Sequence, residues 1–381
     1  MKIGIDVRVL GSHLKSGIQE YTENLLACMI AGNPEIEFKL FYSGNPSLLE
    51  KYSWINLNNV KVIKSPVSNK LIFALSWLFN YPRIDDLIGG VEVFFSPHFL
   101  IAPLNSHCRR VTTFHDLSYL RFREFLSLKS AFWHYFQIGS FSQADLPDKI
   151  IAVSESTKYD LIDKYSIDPK KIETIYSGIS NDIARPSQEE LDVFRKKNNL
   201  PEKFILFLGK LEPRKNIPAL IKAFNLIKDS KDFDDLHLII VGAKGWLFKD
   251  IFNEAEKSSQ KAKIIFKDYI NDEDKKFYYS LASVFVYASF FEGFGFPPLE
   301  AMACGTPVIV SNNSSLPEVM GDAGLLVDPY NAVDISNAIK AVIKDENLRN
   351  YLLKKGKERV KMFQWEECAN KTLKVILDQK V

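Results

Sequence analysis

The alternation of short apolar runs with longer amphipathic segments is the feature that most constrains the fold of this chain. Runs rich in β-branched and aromatic residues recur along it. Between many of them lie segments with apolar residues at helical spacing, such as IQEYTENLLACMI (18–30) and KNIPALIKAFNLIKD (215–229). This alternation predicts βαβ units, whose strands pair in parallel sheets.

The predicted strands fall into two groups. The first group is KIGIDV (2–7), EFKLFY (37–42), VKVIK (60–64), VEVFFS (91–96), RVTTFHD (110–116) and KIIAVS (149–154). The second is FILFLGK (204–210), LHLIIVG (236–242), AKIIFK (262–267), SVFVYA (283–288), TPVIVS (306–311) and AGLLVD (323–328). Residues 177–202 hold no strand candidate and are rich in polar residues, which indicates a linker between two α/β domains.

Composition excludes several classes of protein. The net charge is +2 and no basic run is present, which argues against nucleic-acid binding. The four cysteines form no CxxC pair, so we expect neither a disulfide framework nor structural zinc. We therefore expect the protein to reside in a reducing cytoplasm. Asp6 would interrupt a signal peptide, and LIFALSWLFNY (71–81) is too short to span a bilayer.

The stretch SFFEGFGFPPLEAMACGTPVI (289–309) places two carboxylates around a glycine-rich turn. It follows a strand and runs into a helix that ends at Gly305, and glycines before a helix N-terminus let an anion approach the backbone. Because Glu292 and Glu300 would repel phosphate, we expect them to accept hydrogen bonds from hydroxyls. A nucleotide-sugar offers both phosphates and hydroxyls. The alternative for Glu300, an ordinary first-turn acid favoured by the helix dipole, stays open.

A second loop, FLGKLEPRKNIPALIKAF (207–224), carries adjacent cations before a helix that starts near Asn216 or Ile217. The positive charges of Arg214 and Lys215 are repelled by the positive end of the helix dipole unless an anion is bound there. A bound pyrophosphate would neutralise this repulsion. We expect both side chains to face solvent in the empty protein. The alternative is a pair of solvated surface cations.

Together, GKLEPRKN (209–216) and EGFGFPPLEAMACGTPV (292–308) resemble the retaining glycosyltransferases of family 4, and the resemblance covers essentially the whole chain. It implies an α/β protein of the GT-B fold, with two facing Rossmann-like, doubly wound parallel-sheet domains and a cleft between them. We expect an acceptor-side domain over 1–180 and a nucleotide-sugar donor domain over 181–361. A C-terminal helix of residues 362–381 would pack back on the first domain.

The resemblance also implies residue roles in the second domain. Arg214 and Lys215 would bind the donor pyrophosphate, Glu292 would lie by the transferred sugar, and Glu300 would contact the ribose. Tyr269 and Ile270 would lie against the base. The remaining donor contacts implied in this domain are Gly209, Gly293, Gly295, Phe296 and Leu299.

In the first domain, KSGIQEYTENL (15–25) resembles the family's phosphate-approaching glycine loop, with Gly17 as its key residue and Gln19 where a further glycine is usual. His115 and Asp116 match a His-Asp pair that is common with mannose-type donors. His115 would act near the reacting centre with Glu292, Arg214 and Lys215, although a structural histidine is the alternative. Candidate acceptor contacts are Asp116, Arg121 and Arg123.

The implied reaction is metal-independent, retaining transfer without a cofactor. A sugar, best assigned as mannose from GDP-mannose, would move to a glycan or lipid-linked acceptor in polysaccharide synthesis, for instance of lipopolysaccharide O-antigen. We expect a cytoplasmic protein. Segments 66–83 and 121–136 mix aromatics with cations and predict contact with the inner face of the cytoplasmic membrane, with core helices as the alternative.

Several rival functions remain at this point. A UDP-hexose or UDP-N-acetylhexosamine donor would change only the substrate. A nucleotide-sugar 2-epimerase shares the fold but differs in the residue pattern of the EGFGFPPLEAMACG segment. A glycosidase would need an exposed acid pair with one raised pKa. An inactive glycan-binding homologue is the non-enzyme alternative.

Overall fold

A computed structural model describes residues 1–11, 16–126, 146–228 and 231–378. In these ranges the strands are β1 (Lys2–Asp6), β2 (Glu37–Tyr42), β3 (Val60–Lys64), β4 (Val93–Ser96), β5 (Arg109–Phe114), β6 (Lys149–Ala152), β7 (Ile172–Thr174), β8 (Lys203–Leu208), β9 (Leu236–Val241), β10 (Ile264–Lys267), β11 (Val284–Tyr287), β12 (Val308–Ser311) and β13 (Gly324–Val327).

The α-helices of the described residues lie between these strands and after them. They are α1 (Gly17–Ala31), α2 (Asn69–Phe79), α3 (Ile84–Leu87), α4 (Ser118–Arg121), α5 (Glu155–Tyr165), α6 (Gln188–Lys197), α7 (Ile217–Lys228), α8 (Lys249–Lys257), α9 (Asp272–Leu281), α10 (Phe296–Ala303), α11 (Leu316–Met320), α12 (Ala332–Lys344), α13 (Glu346–Val360) and α14 (Trp365–Leu377). None of these helices is long and apolar enough to cross a membrane.

The chain divides into two compact units. The described part of the first comprises residues 1–11, 16–117, 146–178 and 363–378, and its parallel strands follow the order β3-β2-β1-β4-β5-β6-β7. The described part of the second comprises residues 118–126, 179–228 and 231–362, and its parallel strands follow the order β10-β9-β8-β11-β12-β13. In both sheets the strand order reverses beside the first strand, and the carboxyl ends at such a point form a crevice where α/β proteins bind ligands.

Helix α14 belongs to the first unit although it ends the chain. Its first residue, Trp365, packs its ring edge-on against Tyr21 of α1. The side chain of Arg109 donates to the carbonyl of Val375 near the end of the helix. Gly178 lies under Trp365 so closely that a Cβ atom there would come within 2.3 Å of the Trp365 backbone nitrogen, so a larger residue would push the helix away.

All the strands predicted from sequence are confirmed, but β7 was missed because it is short and carries a glutamate in its centre. The predicted linker, residues 177–202, contains the boundary between the two units, after Gly178. It holds no strand, but helix α6 lies within it. Ser187 and Glu190 form a capping box at the start of α6, which is a recognisable sequence signal for a helix N-terminus.

Residues 118–126 also differ from expectation, because they group with the second unit and not with the first. The rings of Phe122 and Phe125 stack on each other, and Phe125 stacks on Phe290 with centroids 5.5 Å apart. The backbone carbonyl of Phe125 accepts a hydrogen bond from the indole of Trp246. We call residues 118–126 the aromatic strap. Of the predicted membrane segment 121–136, residues 127–136 lie outside the described residues.

Candidate functional site

Two loops of the second unit come together at one edge of its sheet. Strands β8 and β11 are neighbours, with Val284 paired to Ile205. Because the strands are parallel, the loop after β8 and the loop after β11 leave the sheet at the same edge. The first loop carries Arg214 and Lys215, and the second carries Glu292, so the topology places the predicted cations and the predicted acid side by side.

Lys215 is buried and paired within this cluster. Its Nζ lies 2.7 Å from Glu292 Oε1 and 2.6 Å from the hydroxyl of Tyr287, to both of which it donates. Burial lowers the pKa of the Lys215 amine, and the neighbouring Arg214 charge acts in the same direction. Burial opposes ionisation of Glu292, but the two cations outweigh it and hold the pKa of that carboxyl below its usual value.

Arg214 completes the cluster from the more exposed side. Its Nη1 donates to Glu292 Oε2 at 3.1 Å and to the carbonyl of Phe291 at 2.7 Å. Its Nη2 donates to Glu212 Oε1 at 3.0 Å. Two cations therefore face two carboxylates, and the cluster balances its own charge without a ligand.

The expectation that Arg214 and Lys215 face solvent was wrong. Lys215 is 7% exposed, and the side chain of Arg214 is 18% exposed. The sequence argument held that something negative must neutralise adjacent cations at a helix start. In the empty protein, Glu292 and Glu212 supply that negative charge.

Asn216, for which the sequence analysis proposed no contact, ties the loop after β8 to two neighbouring segments. It adopts a left-handed conformation with φ of 54°, which asparagine tolerates better than most residues. Its buried amide donates to the carbonyls of Ala288 and Pro329, at 3.0 and 2.7 Å. Helix α7 then begins at Ile217, within the predicted limits. An asparagine directly before a helix was the available signal.

The second predicted acid, Glu300, lies in α10 and is 3% exposed. Its Oε2 accepts a hydrogen bond of 2.6 Å from the hydroxyl of Tyr279, a buried residue of α9. Burial and the Glu300 charge raise the pKa of Tyr279 well above its ordinary value, so the phenol stays a donor. Tyr279 thus fixes one oxygen of the carboxylate, a contact that sequence reasoning missed.

The other predicted donor contacts occupy different surroundings. Gly293 and Gly295 are buried in the loop after β11, and Gly295 has φ of 107°, a conformation that favours glycine. Leu299 is fully buried. Tyr269, which follows β10, is 51% exposed and could receive a flat ring. The remaining candidates are Gly209 after β8, Phe296 at the first position of α10, and Ile270 beside Tyr269.

In the first unit, His115 follows β5 and its Nε2 lies 2.8 Å from the carbonyl of Pro97. A carbonyl only accepts, so Nε2 carries the proton and Nδ1 keeps its lone pair. The ring of Tyr21 meets it edge-on at 4.8 Å. Burial lowers the pKa of His115 to about 4, so the imidazole is neutral near pH 7.

The remaining candidates divide between the units. Gly17 begins α1 in the first unit, behind the N-cap Ser16, and Asp116 follows His115. Gln19 is buried in the first turn of α1, where its amide donates to the hydroxyl of Tyr52. Lys15 of the predicted glycine loop lies outside the described residues.

Arg121 and Arg123 belong to the aromatic strap of the second unit and are exposed. The guanidinium of Arg121 lies 5.8 Å from the ring centroid of Phe291, the residue before Glu292. Arg121 therefore packs on residues 288–295, which carry Glu292 and which we call the Glu292 loop.

Comparison with known proteins identifies both halves of the chain. A family model described as "Glycosyl transferases group 1" matches residues 188–359, and one described as "Glycosyltransferase Family 4" matches residues 15–182. The O-antigen chain mannosyltransferase B of Escherichia coli is 35% identical over 266 residues, which are 70% of this chain and 69% of the relative.

A second relative is much longer than this chain. The serotype-specific mannosyltransferase WbdA of Escherichia coli is 30% identical over 238 residues, which are 62% of this chain and 29% of the relative. Among solved structures, Anabaena HepE in complex with UDP-glucose matches with a TM-score of 0.75 at 16% identity, over 98% of each chain. With the two parallel sheets, this likeness confirms the predicted GT-B fold.

We predict that Lys215→Ala lowers the free energy of unfolding by about 3 kcal/mol, because the substitution strands the buried carboxylate of Glu292 and opens a gap beside Tyr287. Urea denaturation followed by circular dichroism measures the change. Lys222→Ala is the matched control, since the Lys222 side chain is 59% exposed and removing it should change little. Equal stability of the two variants would contradict the burial of this ion pair.

Proposed function

The chain belongs to the glycosyltransferases of family 4, and on that premise we propose that it transfers mannose from GDP-mannose to a hydroxyl of a glycan or lipid-linked glycan, with retention of anomeric configuration and without a metal ion. The proposal of mannose is supported by the two relatives described above, each of which is named as a mannosyltransferase. A UDP-sugar donor is the alternative for the same site.

The observation that carries the proposal is the cluster of Arg214, Lys215 and Glu292 at the carboxyl edge of the second sheet. Preorganised cations stabilise the negative charge that develops on a leaving diphosphate, and they act most strongly where water is excluded. Arg214 and Lys215 are suited to hold that diphosphate, which would replace the carboxylate they contact in the empty protein. Glu292 would then be available to the transferred sugar.

His115 suits a role in holding the sugar and not in proton transfer. Its neutral ring presents Nδ1 as an acceptor, which could take a hydrogen bond from a sugar hydroxyl. The low pKa excludes it as a cationic acid near neutral pH. We propose that the departing phosphate takes the proton of the acceptor hydroxyl as the new bond forms on the same face of the sugar.

We predict that GDP-mannose stabilises the protein more than UDP-glucose, UDP-galactose or UDP-N-acetylglucosamine does. A ligand that binds only the folded chain at 100 times its Kd adds about 2.7 kcal/mol. Thermal unfolding with each nucleotide-sugar measures this, and NMR of the transfer product reads the anomeric configuration. Conversion of the sugar without an acceptor would instead indicate an epimerase, and no stabilisation by any of the four would overturn the proposal.

We predict that Glu292→Gln lowers turnover by at least about tenfold, or 1.4 kcal/mol, while GDP binds at least as tightly as to the native protein. The carboxylate competes with phosphate for Lys215 and Arg214 in the empty protein, and the amide removes that competition. Initial rates and calorimetric titration with GDP separate the two effects. A parallel loss of turnover and GDP affinity would leave Glu292 a plain binding residue.

We further propose that the first unit rests on an anionic membrane surface through α2. Leu71, Leu78, Phe79 and Tyr81 each leave more than half of their surface exposed, while Ile72 anchors the helix in the core. Lys70 is exposed beside Leu71. An apolar face flanked by a cation is typical of a helix that lies in the interface of a bilayer.

We predict that the protein sediments with vesicles of anionic lipid at low salt and is released as the salt concentration rises, since salt screens the attraction between lysines and lipid headgroups. A variant carrying Leu78→Ser and Phe79→Ser should lose most of this binding. Val193→Ser removes an exposed apolar side chain from the second unit and is the control. If the double variant binds vesicles as well as the control does, α2 is not the contact.

A further inference from the structure

We propose that Ser315 is a positioning residue for the donor diphosphate. The family resemblance already implies that backbone amides after Glu292 hold sugar or phosphate oxygens. The Ser315 Oγ holds two peptide groups of that loop so that the N–H groups of Gly293 and Gly295 face the outer phosphate of the bound nucleotide. This inference rests on the proposed function. It concerns a residue that makes no contact with the side chains assigned to catalysis.

Ser315 lies in the turn between β12 and α11 and is fully buried. Its Oγ lies 2.9 Å from the carbonyl oxygen of Glu292 and 2.9 Å from that of Phe294. The backbone N–H of Ser315 also donates to the Glu292 carbonyl, at 3.4 Å. The hydroxyl has one proton, so it bonds one of these two carbonyls at a time, and the backbone N–H of Ser315 holds the Glu292 carbonyl when the hydroxyl donates to Phe294.

Because the peptide group is planar, the direction of each carbonyl also fixes the direction of the N–H group of the next residue. The carbonyl of Glu292 and the N–H of Gly293 belong to one planar trans peptide and point in opposite directions. The same holds for the carbonyl of Phe294 and the N–H of Gly295. Since both carbonyls point at Ser315, both N–H groups point away from it, on the same side of the loop.

Neither of these N–H groups donates a backbone hydrogen bond in the described part of the chain. Both glycines are nevertheless buried. A buried N–H without an acceptor costs free energy, and an oxygen of a ligand would recover it. Backbone N–H groups that lie on one side of a glycine-rich loop are suited to donate to phosphate oxygens.

Two further contacts hold the loop against the turn that carries Ser315. The N–H of Glu292 donates to the hydroxyl of Ser314, at 3.0 Å. A Cβ atom on Gly295 would come within 2.8 Å of a methyl carbon of Leu316, the residue after Ser315. The loop is therefore pressed against the turn that carries Ser315.

The test is Ser315→Ala, with dissociation constants for GDP and GMP measured by calorimetry on the native protein and on the variant. The outer phosphate is present in GDP and absent from GMP. Loss of one orienting hydrogen bond should weaken GDP about five- to tenfold and leave GMP within about twofold. A merely structural effect would weaken both nucleotides equally. UDP and UMP form a second pair of probes if the native protein prefers uridine.

Ser280→Ala is the matched control. Ser280 is also a buried serine of the second unit, and its hydroxyl donates to the carbonyl of Cys304, at the other end of α10. This variant should keep the native ratio of the two affinities. If Ser315→Ala does not fold, Ser315→Cys keeps the size of the side chain with a weaker donor and is measured in the same way.

An unchanged ratio of GDP to GMP affinity in a folded Ser315 variant would overturn the inference while leaving the proposed function intact. If the native protein binds neither GDP nor UDP, the proposed function fails, and the inference fails with it. A selective loss of diphosphate affinity in Ser315→Ala, absent from Ser280→Ala, is the result that supports it.

Discussion

The buried ion pair between Lys215 and Glu292 is the interaction on which the site of the second unit depends. A charge removed from water is costly unless its partner is held close, so the loops after β8 and β11 must keep a fixed separation. The pairing of those two strands sets that separation, and the Asn216 amide ties the loop after β8 to the carbonyl of Ala288, directly after β11. The sheet topology therefore determines where the charges lie, and the charges in turn hold the loops.

The Glu292 loop is held both through its side chain and through its backbone. Arg214 and Lys215 fix the carboxylate, while Ser314 and Ser315 fix the peptides on either side. This leaves little of the loop to be ordered when a donor binds, which reduces the entropic cost of binding. The Glu292 carboxylate accepts hydrogen bonds from both Arg214 and Lys215. Under the proposed function, these bonds must break when a diphosphate binds to the two cations.

The strands and the charged loops after β8 and β11 could be predicted because they depend on local sequence patterns. The alternation of apolar runs with amphipathic segments predicted the strands, and glycine, proline and charged residues predicted the loops. The burial of Lys215 was not predictable, since a Lys after an Arg in a polar turn looks like a surface residue and its partner Tyr287 is 72 positions away. Ser314 and Ser315 likewise act through carbonyls and amides of a distant loop, and nothing in their own neighbourhood signals such contacts.

The aromatic strap has a consequence for how this protein could be recombined. Residues 118–126 leave the first unit in sequence but pack on Phe290 and Trp246 in the second. A chimera made by exchanging residues 179–362 between relatives would separate Phe290 from the ring of Phe125 on which it stacks. The exchangeable module is therefore discontinuous, and grafting donor preference from one relative to another requires carrying the strap along with the second sheet.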